Sequence, residues 1–279
     1  MRIDSHQHFW NYHPTEYVWM TEEHHAIRRD FLPADLVPLL EAAGIDGSIA
    51  VQARQLTKET DFLLELARKN PCIKGVVGWL PIADPDFPEW LEKYASRPGI
   101  VGFRHVVHDE PDPDFILRPD FNRGIRTLAK YPLCYDILIF RHHLPQTIRF
   151  ADMHEDMTLI VDHIAKPDIR KSVFDHQWAD GIRELARRPH VHCKLSGMMT
   201  EVRDKEWDLD TMRPYFETVL EAFGPDRLMY GSDWPVCLLG GSYAAWAALV
   251  ETLIAPLSPT ERHAIMGGTA ERCYLRTKQ

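Results

Sequence analysis

A (β/α)8 or TIM barrel, of the α/β class, is the fold this sequence predicts, and three observations predict it. Eight short apolar runs alternate with segments of helical periodicity, and strict alternation of strand with helix makes a parallel sheet. No two runs are joined by a hairpin turn. Polar residues suited to chemistry stand at the C-terminal ends of several different runs, where the active sites of such barrels lie. A length of 279 residues suits eight such units, since roughly 250 residues is typical of the fold. The rival is a doubly wound open sheet, but no Gly-x-Gly-x-x-Gly follows an early strand.

The first strand covers residues 2–8. Residues 11–29 are rich in aromatic side chains and histidine without a clear period, and read as a long loop. A helix opens at Phe31-Leu-Pro-Ala-Asp35, places Leu36, Leu39, Leu40 and Ala43 along one side and stops at Gly44. Strand two is 47–52, and the helix over 57–70 carries Phe62, Leu63, Leu66 and Ala67 at helical spacing. Strands three to seven fall at 73–80, 99–105, 132–139, 158–163 and 190–195, separated by helices over 87–95, 121–130, 144–154 and 175–188. A helix over 210–223 stops at Gly224-Pro225, strand eight is 227–232, and helices over 243–253 and 258–274 close the chain. No linker, composition shift or low-complexity stretch interrupts it, so residues 1–279 read as one barrel domain.

Composition narrows the function. Apolar residues make up 45%, enough for a sizeable core. A net charge of −9 argues against a nucleic-acid binder, which would show a basic face. No apolar run reaches the roughly 18 residues of a membrane span. No basic and then hydrophobic leader follows Met1, so a cytoplasmic enzyme is expected. Five scattered cysteines without Cys-x-x-Cys read as reduced, mostly buried thiols, and Cys134 and Cys193 sit inside apolar strands.

The candidate site starts at His6 and His8. Two apart on a strand, they point to one side, as ligands of a divalent cation or polarisers of a carbonyl would. In a chain with 15 histidines such a pair also arises by chance. Two distant stretches change the balance. Thr158-Leu-Ile-Val-Asp-His163 and Arg227-Leu-Met-Tyr-Gly-Ser-Asp-Trp-Pro235 are apolar runs that end on His163 and Asp233. Packing explains three such strand ends poorly. Asp233 is placed to take a proton from water, the plainer alternative being a helix N-cap. Arg104 at the end of strand four requires an anion or carbonyl partner, either a substrate group or a salt bridge in the barrel mouth. His105 is a candidate acid for the leaving oxygen, and Gln52 also stands at a strand end. Lys166 either binds a substrate oxygen or pairs with an acid. Lys194 shares a face with His192 and lies nearer the strand end, hence nearer the site. Arg54, Trp19 and Trp234 are candidate walls for a polyhydroxy ring, packing being the plainer use of the aromatics. His13, His24, His25, His142, His143, His154, His176, His190 and His263 are set aside as solvated, although His24-His25 lies in a loop able to approach the site. The acidic stretch 109–114 reads as a solvated loop.

Asp4-Ser-His6-Gln-His8, Asp162-His163-Ile-Ala-Lys166-Pro167 and Gly231-Ser-Asp233-Trp-Pro235 occur in this order across almost the whole chain. Together they resemble the amidohydrolase superfamily, and more narrowly its "amidohydrolase 2" branch of sugar-acid lactonases and 2-pyrone-4,6-dicarboxylate lactonase. The resemblance implies a hydrolase that opens the lactone ring of a sugar acid, such as L-fuconolactone, L-rhamnonolactone or galactonolactone. Asp233 would activate water while His6, His8 and His163 stabilise the oxyanion. It also implies a metal set of His6, His8, His163 and Asp233 for zinc or manganese. Binuclear members bridge their metals with a lysine or glutamate. Here strand five ends on Ile139-Phe140 with Asp136 inside it, which argues against two metals. The pyrone-dicarboxylate branch works without metal, so one divalent ion or none are both open. The alternative activity is hydrolysis or decarboxylation of an aromatic-derived (di)carboxylate. That would call for several strand-end arginines, whereas only Arg104 and Arg54 offer themselves. A catalytically dead binding protein would lack a polar strand-end residue, yet Asp233, His6 and His8 are all present. The expected partner is a small-molecule lactone, with neither nucleic acid nor membrane; a homo-oligomer is left open.

Overall fold

A computed structural model describes residues 1–204 and 206–275. Its eight strands are β1 Ile3–Gln7, β2 Gly47–Val51, β3 Ile73–Gly78, β4 Ile100–Val106, β5 Cys134–Leu138, β6 Leu159–Val161, β7 Val191–Leu195 and β8 Leu228–Tyr230. They lie side by side in chain order, every neighbouring pair parallel. The two edges are drawn together just beyond β8. Asp233 N–H donates to His6 O at 2.8 Å, and His8 N–H donates to Trp234 O at 2.7 Å. The Asp4 carboxylate accepts from Ser232 N–H at 2.8 Å. The predicted (β/α)8 barrel is the fold.

Eight helices clothe the sheet: α1 Pro33–Ala42, α2 Thr57–Lys69, α3 Phe87–Ala95, α4 Pro119–Leu128, α5 Leu144–Asp152, α6 His176–Ala186, α7 Leu209–Phe223 and α8 Tyr243–Ile254. Their starts have readable causes. Proline stands in the first turn of α1, α3, α4 and α5, where its missing N–H costs nothing. Asp175, Asp208 and Ser242 cap α6, α7 and α8 by accepting from the backbone N–H of Trp178, Thr211 and Ala245. The main core lies between sheet and helices, and a second cluster, including Ile3, Ile49, Val77, Ile160 and Met229, fills the barrel's lower interior. Among the described residues, no helix is long and apolar enough to cross a membrane.

Three segments depart from the sequence expectation. The helix foreseen over 258–274 is broken into α9 Pro259–His263 and α10 Thr269–Tyr274 by a wide turn, Ala264–Gly268. A Cβ on Gly267 would lie 2.1 Å from Met1 O, so the turn is where the chain end passes the start of β1. The stretch 11–29 includes a short 3-10 helix, Glu22–Ile27, and sends Tyr17, Met20 and Ile27 into the core. Strand six stops at Val161 rather than His163. His163, Ile164, Ala165 and Lys166 follow at φ 53°, 47°, 60° and 49°. Left-handed backbone costs a non-glycine residue about 1–2 kcal/mol and persists only where surroundings enforce it. Here Trp178 Nε1 donates to Ile164 O at 2.6 Å and anchors the turn.

The tightest approach at any glycine is at Gly124 in α4, where a Cβ would lie 2.0 Å from O of Ile82 in the turn between β3 and α3. Gly124→Ala should destabilise the protein by about 1–3 kcal/mol through overpacking, even though alanine gains roughly 1 kcal/mol in helix propensity. A lowered urea midpoint checks this, and an unchanged or raised midpoint would contradict the packing described.

Candidate active site

His6 and His8 leave β1 on one side, and their Nε2 atoms lie 3.2 Å apart. Asp233 follows β8 with a left-handed φ of 58°. That turn brings its Oδ1 to 3.8 Å from His6 Nε2 and 3.4 Å from His8 Nε2. His163, from the left-handed turn after β6, places its Nε2 3.8 Å from the same oxygen. Gly197 makes room for this ring, since a Cβ there would lie 2.7 Å from the imidazole. All four side chains are buried.

The second nitrogen of each imidazole is engaged elsewhere. His8 Nδ1 donates to Val51 O at 2.8 Å, and His163 Nδ1 is bonded to Ser196 Oγ at 2.8 Å. His6 Nδ1 lies 3.3 Å from Asp162 Oδ1 and 3.1 Å from Lys194 Nζ. Three Nε2 atoms thus converge on Asp233 Oδ1, and with Nδ1 protonated in each ring they would present their lone pairs to a cation held between them. Burial holds His6 and His163 well below the ordinary imidazole value, so both are neutral near pH 7. Burial works to raise the Asp233 carboxyl, but the adjacent His163 and His8 bring it below its ordinary value. Asp233 is therefore ionised and able to act as a base.

Beneath this layer lies a group of buried charges. Arg104 donates to Asp162 Oδ2 at 2.9 Å and to the Gln52 carbonyl, and lies 3.3 Å from His6 Nε2. Lys194 Nζ lies 2.5 Å from Asp136 Oδ2 and 3.0 Å from Asp162 Oδ1. Tyr274 donates to Asp136, with both carboxylate oxygens at 2.8–2.9 Å. Burial pushes Asp136 up to about 6, against the pull of Lys194. At Asp162 burial is outweighed by Lys194, His6 and Arg104, which hold the carboxyl well below its usual range. Two cations thus balance two carboxylates, as burial of charge demands.

A cavity of about 890 Å³ opens over the histidines. His8, His163, Asp233 and Arg104 line it, joined by Trp19, His24 and His25 from the loop after β1. His108 and Asp109 from beyond β4, Lys166, and Thr200, Glu201 and Arg203 from beyond β7 complete its polar wall. Of the residues expected at the site, the structure brings His6, His8, His163, Asp233, Arg104 and Trp19 together here, and it places four others differently. His105 alternates with Arg104 and so faces the opposite side of β4. It stacks on Phe115 at 4.7 Å, bonds Glu110 Oε1 at 2.6 Å and accepts from Trp79 Nε1 at 3.3 Å, away from the cavity. Arg54 is held by Glu59 and Glu16 and lies over the Tyr17 ring. Trp234 packs edge-on against Phe31 and Phe9 in the core. Lys194 does approach the site, but under His6, fully buried between two carboxylates rather than open to substrate.

Sequence reasoning overlooks Asp162, because the apolar run before it draws attention to His163. It also overlooks His108 and dismisses Asp109 as solvated, while His24-His25, set aside but read as able to approach the site, do line the cavity. A signal for His108 exists. Arg104 and Val106 alternate onto the cavity side of β4, and His108, in the 3-10 turn Val107–Asp109 just past the strand end, lines the cavity with them.

The donor set tests well for a divalent ion. His6, His8 and Asp233 cluster as ligands, with His163 beside them. Ligands about 2.0–2.2 Å from a tetrahedral centre stand roughly 3.3–3.6 Å from one another, and the separations here are 3.2, 3.4 and 3.8 Å. Neutral imidazoles with one carboxylate are zinc-type chemistry. A second grouping, His6, Asp162 and His163, is a poor rival, because Arg104 and Lys194 already occupy Asp162.

A protein-family model described as "Amidohydrolase" matches residues 3–276. An L-fucono-1,5-lactonase of Burkholderia multivorans is 42% identical over 98% of this chain and 96% of its own length. An L-rhamnono-gamma-lactonase of Scheffersomyces stipitis is 24% identical over 74% of this chain and 70% of its own. Among solved structures, a crystal structure of a Burkholderia multivorans amidohydrolase with bound zinc superimposes with a TM-score of 0.94 at 42% identity, covering 99% of both chains.

Replacing Lys194 by methionine leaves Asp136 and Asp162 short of their shared cation. A cost of about 3–5 kcal/mol is expected from breaking so buried a pairing, measured by denaturant unfolding. A loss near zero would mean that the lysine is not the counter-charge described.

Proposed function

The chain belongs to the amidohydrolase family, and from that premise we propose that it hydrolyses the lactone ring of a sugar acid, with L-fucono-1,5-lactone the first substrate to try. One observation carries the choice of a neutral, hydroxyl-rich ring over an aromatic dicarboxylate. Among the described residues, each lysine or arginine lining the cavity is already paired. Lys166 lies 3.4 Å from Glu201, Arg203 pairs with Glu201 and Asp168, and Arg104 pairs with Asp162. An anionic substrate would have to displace those carboxylates. Hydroxyl groups need only the donors and acceptors that paired groups still present. The names of the two lactonase relatives agree with this reading.

The reaction follows from the arrangement around Asp233. Its ionised carboxylate takes a proton from a water molecule as the water oxygen attacks the lactone carbonyl carbon. The negative charge that develops on the carbonyl oxygen falls in a cavity to which Lys166, though paired with Glu201, adds positive potential. Collapse of the tetrahedral intermediate breaks the bond between carbonyl carbon and ring oxygen. The proton on Asp233 passes to that oxygen, which becomes a hydroxyl of the opened hydroxy acid, and the new carboxylic acid releases its proton to solvent. His6, His8, His163 and Asp233 would hold the divalent ion, which when bound polarises the carbonyl and acidifies water. Asp162 fixes the His6 ring from behind, in the way outer carboxylates orient metal-binding histidines.

Proton release from a panel of 1,4- and 1,5-sugar-acid lactones tests the proposal. Turnover is expected with wild-type protein, and Asp233→Asn should lower kcat by roughly 10²–10⁴-fold, the usual contribution of a general base. His105→Phe should leave turnover intact. Dialysis against a chelator should abolish activity, with zinc or manganese restoring it. Absence of turnover on every lactone would sink the reading, and full activity after chelation would remove the metal from it.

A further inference from the structure

His108 lies just past β4 and lines the cavity, outside the cluster of His6, His8, His163 and Asp233. Its ring is fixed in two ways. Nδ1 lies 2.7 Å from Asp109 Oδ1 and therefore donates its proton there. Phe140 packs against the ring with centroids 4.5 Å apart. Lys166 reaches over the same Phe140 ring, its Nζ 5.5 Å from the centroid. Burial keeps the His108 imidazole below its ordinary value although Asp109 pulls it up, while Lys166 and Arg104 add to the lowering. The ring is then neutral, with Nδ1 protonated and Nε2 a bare acceptor. Among the described residues, Nε2 has no hydrogen-bond partner, yet it is not sealed from the cavity as a buried orphan would be.

We propose that His108, locked by Asp109 and Phe140, is a specificity-determining residue whose Nε2 accepts a hydrogen bond from one hydroxyl of the substrate, away from the reacting carbonyl. The proposal rests on the lactone-hydrolase reading and deepens it. An acceptor lone pair beside the Asp109 carboxylate repels an anionic group and is satisfied by an O–H. A ring already immobilised loses little freedom when it binds, which is the advantage of a preorganised contact. A site built to bond a hydroxyl discriminates strongly against the analogue that lacks it, because its own polar group is then left unpaired. The 109–114 stretch, which reads as a solvated loop from sequence, thereby supplies at its first residue the group that sets the histidine tautomer.

The test compares the best lactone from the panel with its monodeoxy analogues, using metal-loaded protein. For wild type, one analogue should lose roughly 10- to 100-fold in kcat/KM, as expected for one unmade buried hydrogen bond. His108→Phe should lose a similar factor on the parent lactone and no longer distinguish it from that analogue. His108→Gln, which retains an acceptor oxygen, should recover part of the discrimination. Asp109→Ala, which frees the ring but keeps it, should weaken discrimination less than His108→Phe and serves if the latter does not fold. Equal loss on the parent and every analogue, or unchanged discrimination in the His108 variants, overturns the proposal. Failure of wild type to open any lactone overturns the underlying reading together with it, and is recognised by the absence of any turnover to compare.

Discussion

A carboxylate shut away from water must be paired, and at Asp162 this constraint organises the mouth of the barrel. Oδ2 takes Arg104 from β4, while Oδ1 faces Lys194 from β7 and His6 from β1. One side chain thus ties three strand ends together through contacts of 2.9–3.3 Å. None of these groups has water to fall back on, so loss of register at any of the three strands would leave a buried charge uncompensated. The orientation of His6 is a consequence, and with it the direction in which its Nε2 meets His8 and Asp233. Asp136 and Tyr274 extend the same network downward, so the C-terminal helix is coupled to the charge layer beneath the site.

Backbone strain does the rest of the positioning. Regular strands carry His6 and His8 to one side, but no regular strand would turn His163 and Asp233 toward the same point. Left-handed conformations at both residues achieve this. They are held by Trp178 on the carbonyl of Ile164 and by the His6 carbonyl on the Asp233 N–H. Gly197 and Gly231 clear the space that the His163 and His6 side chains occupy. Two of the four clustered residues, His163 and Asp233, carry this strain, as expected where geometry has functional value.

The cavity above has a different character from the charge layer below. Below, ion pairs are sealed and serve position. Above, Lys166–Glu201, Arg203–Glu201 and His108–Asp109 line open space. They keep net charge low while presenting many hydrogen-bonding directions. Such a wall suits a ligand that is polar without being charged, and Trp19 supplies an apolar surface beside it.

The sequence by itself determined the barrel, because short apolar runs alternating with helical ones admit few other arrangements. It also singled out His6, His8, His163 and Asp233 as neighbours, because each stands at or just past a strand end, and parallel strands deliver their ends to one face. What only the tertiary structure decided was which neighbour of a strand-end residue faces inward, and who pairs with it. Arg104 and His105 are adjacent, yet one meets the site and the other stacks on Phe115. Arg54 is claimed by Glu16, far away in the chain, and Lys194 by Asp136 and Asp162. Asp162 gained its partners Arg104, Lys194 and His6 only through folding. Periodicity is a local property that survives in the linear string, whereas the pairing of buried charges depends on distances that exist only once the barrel has closed.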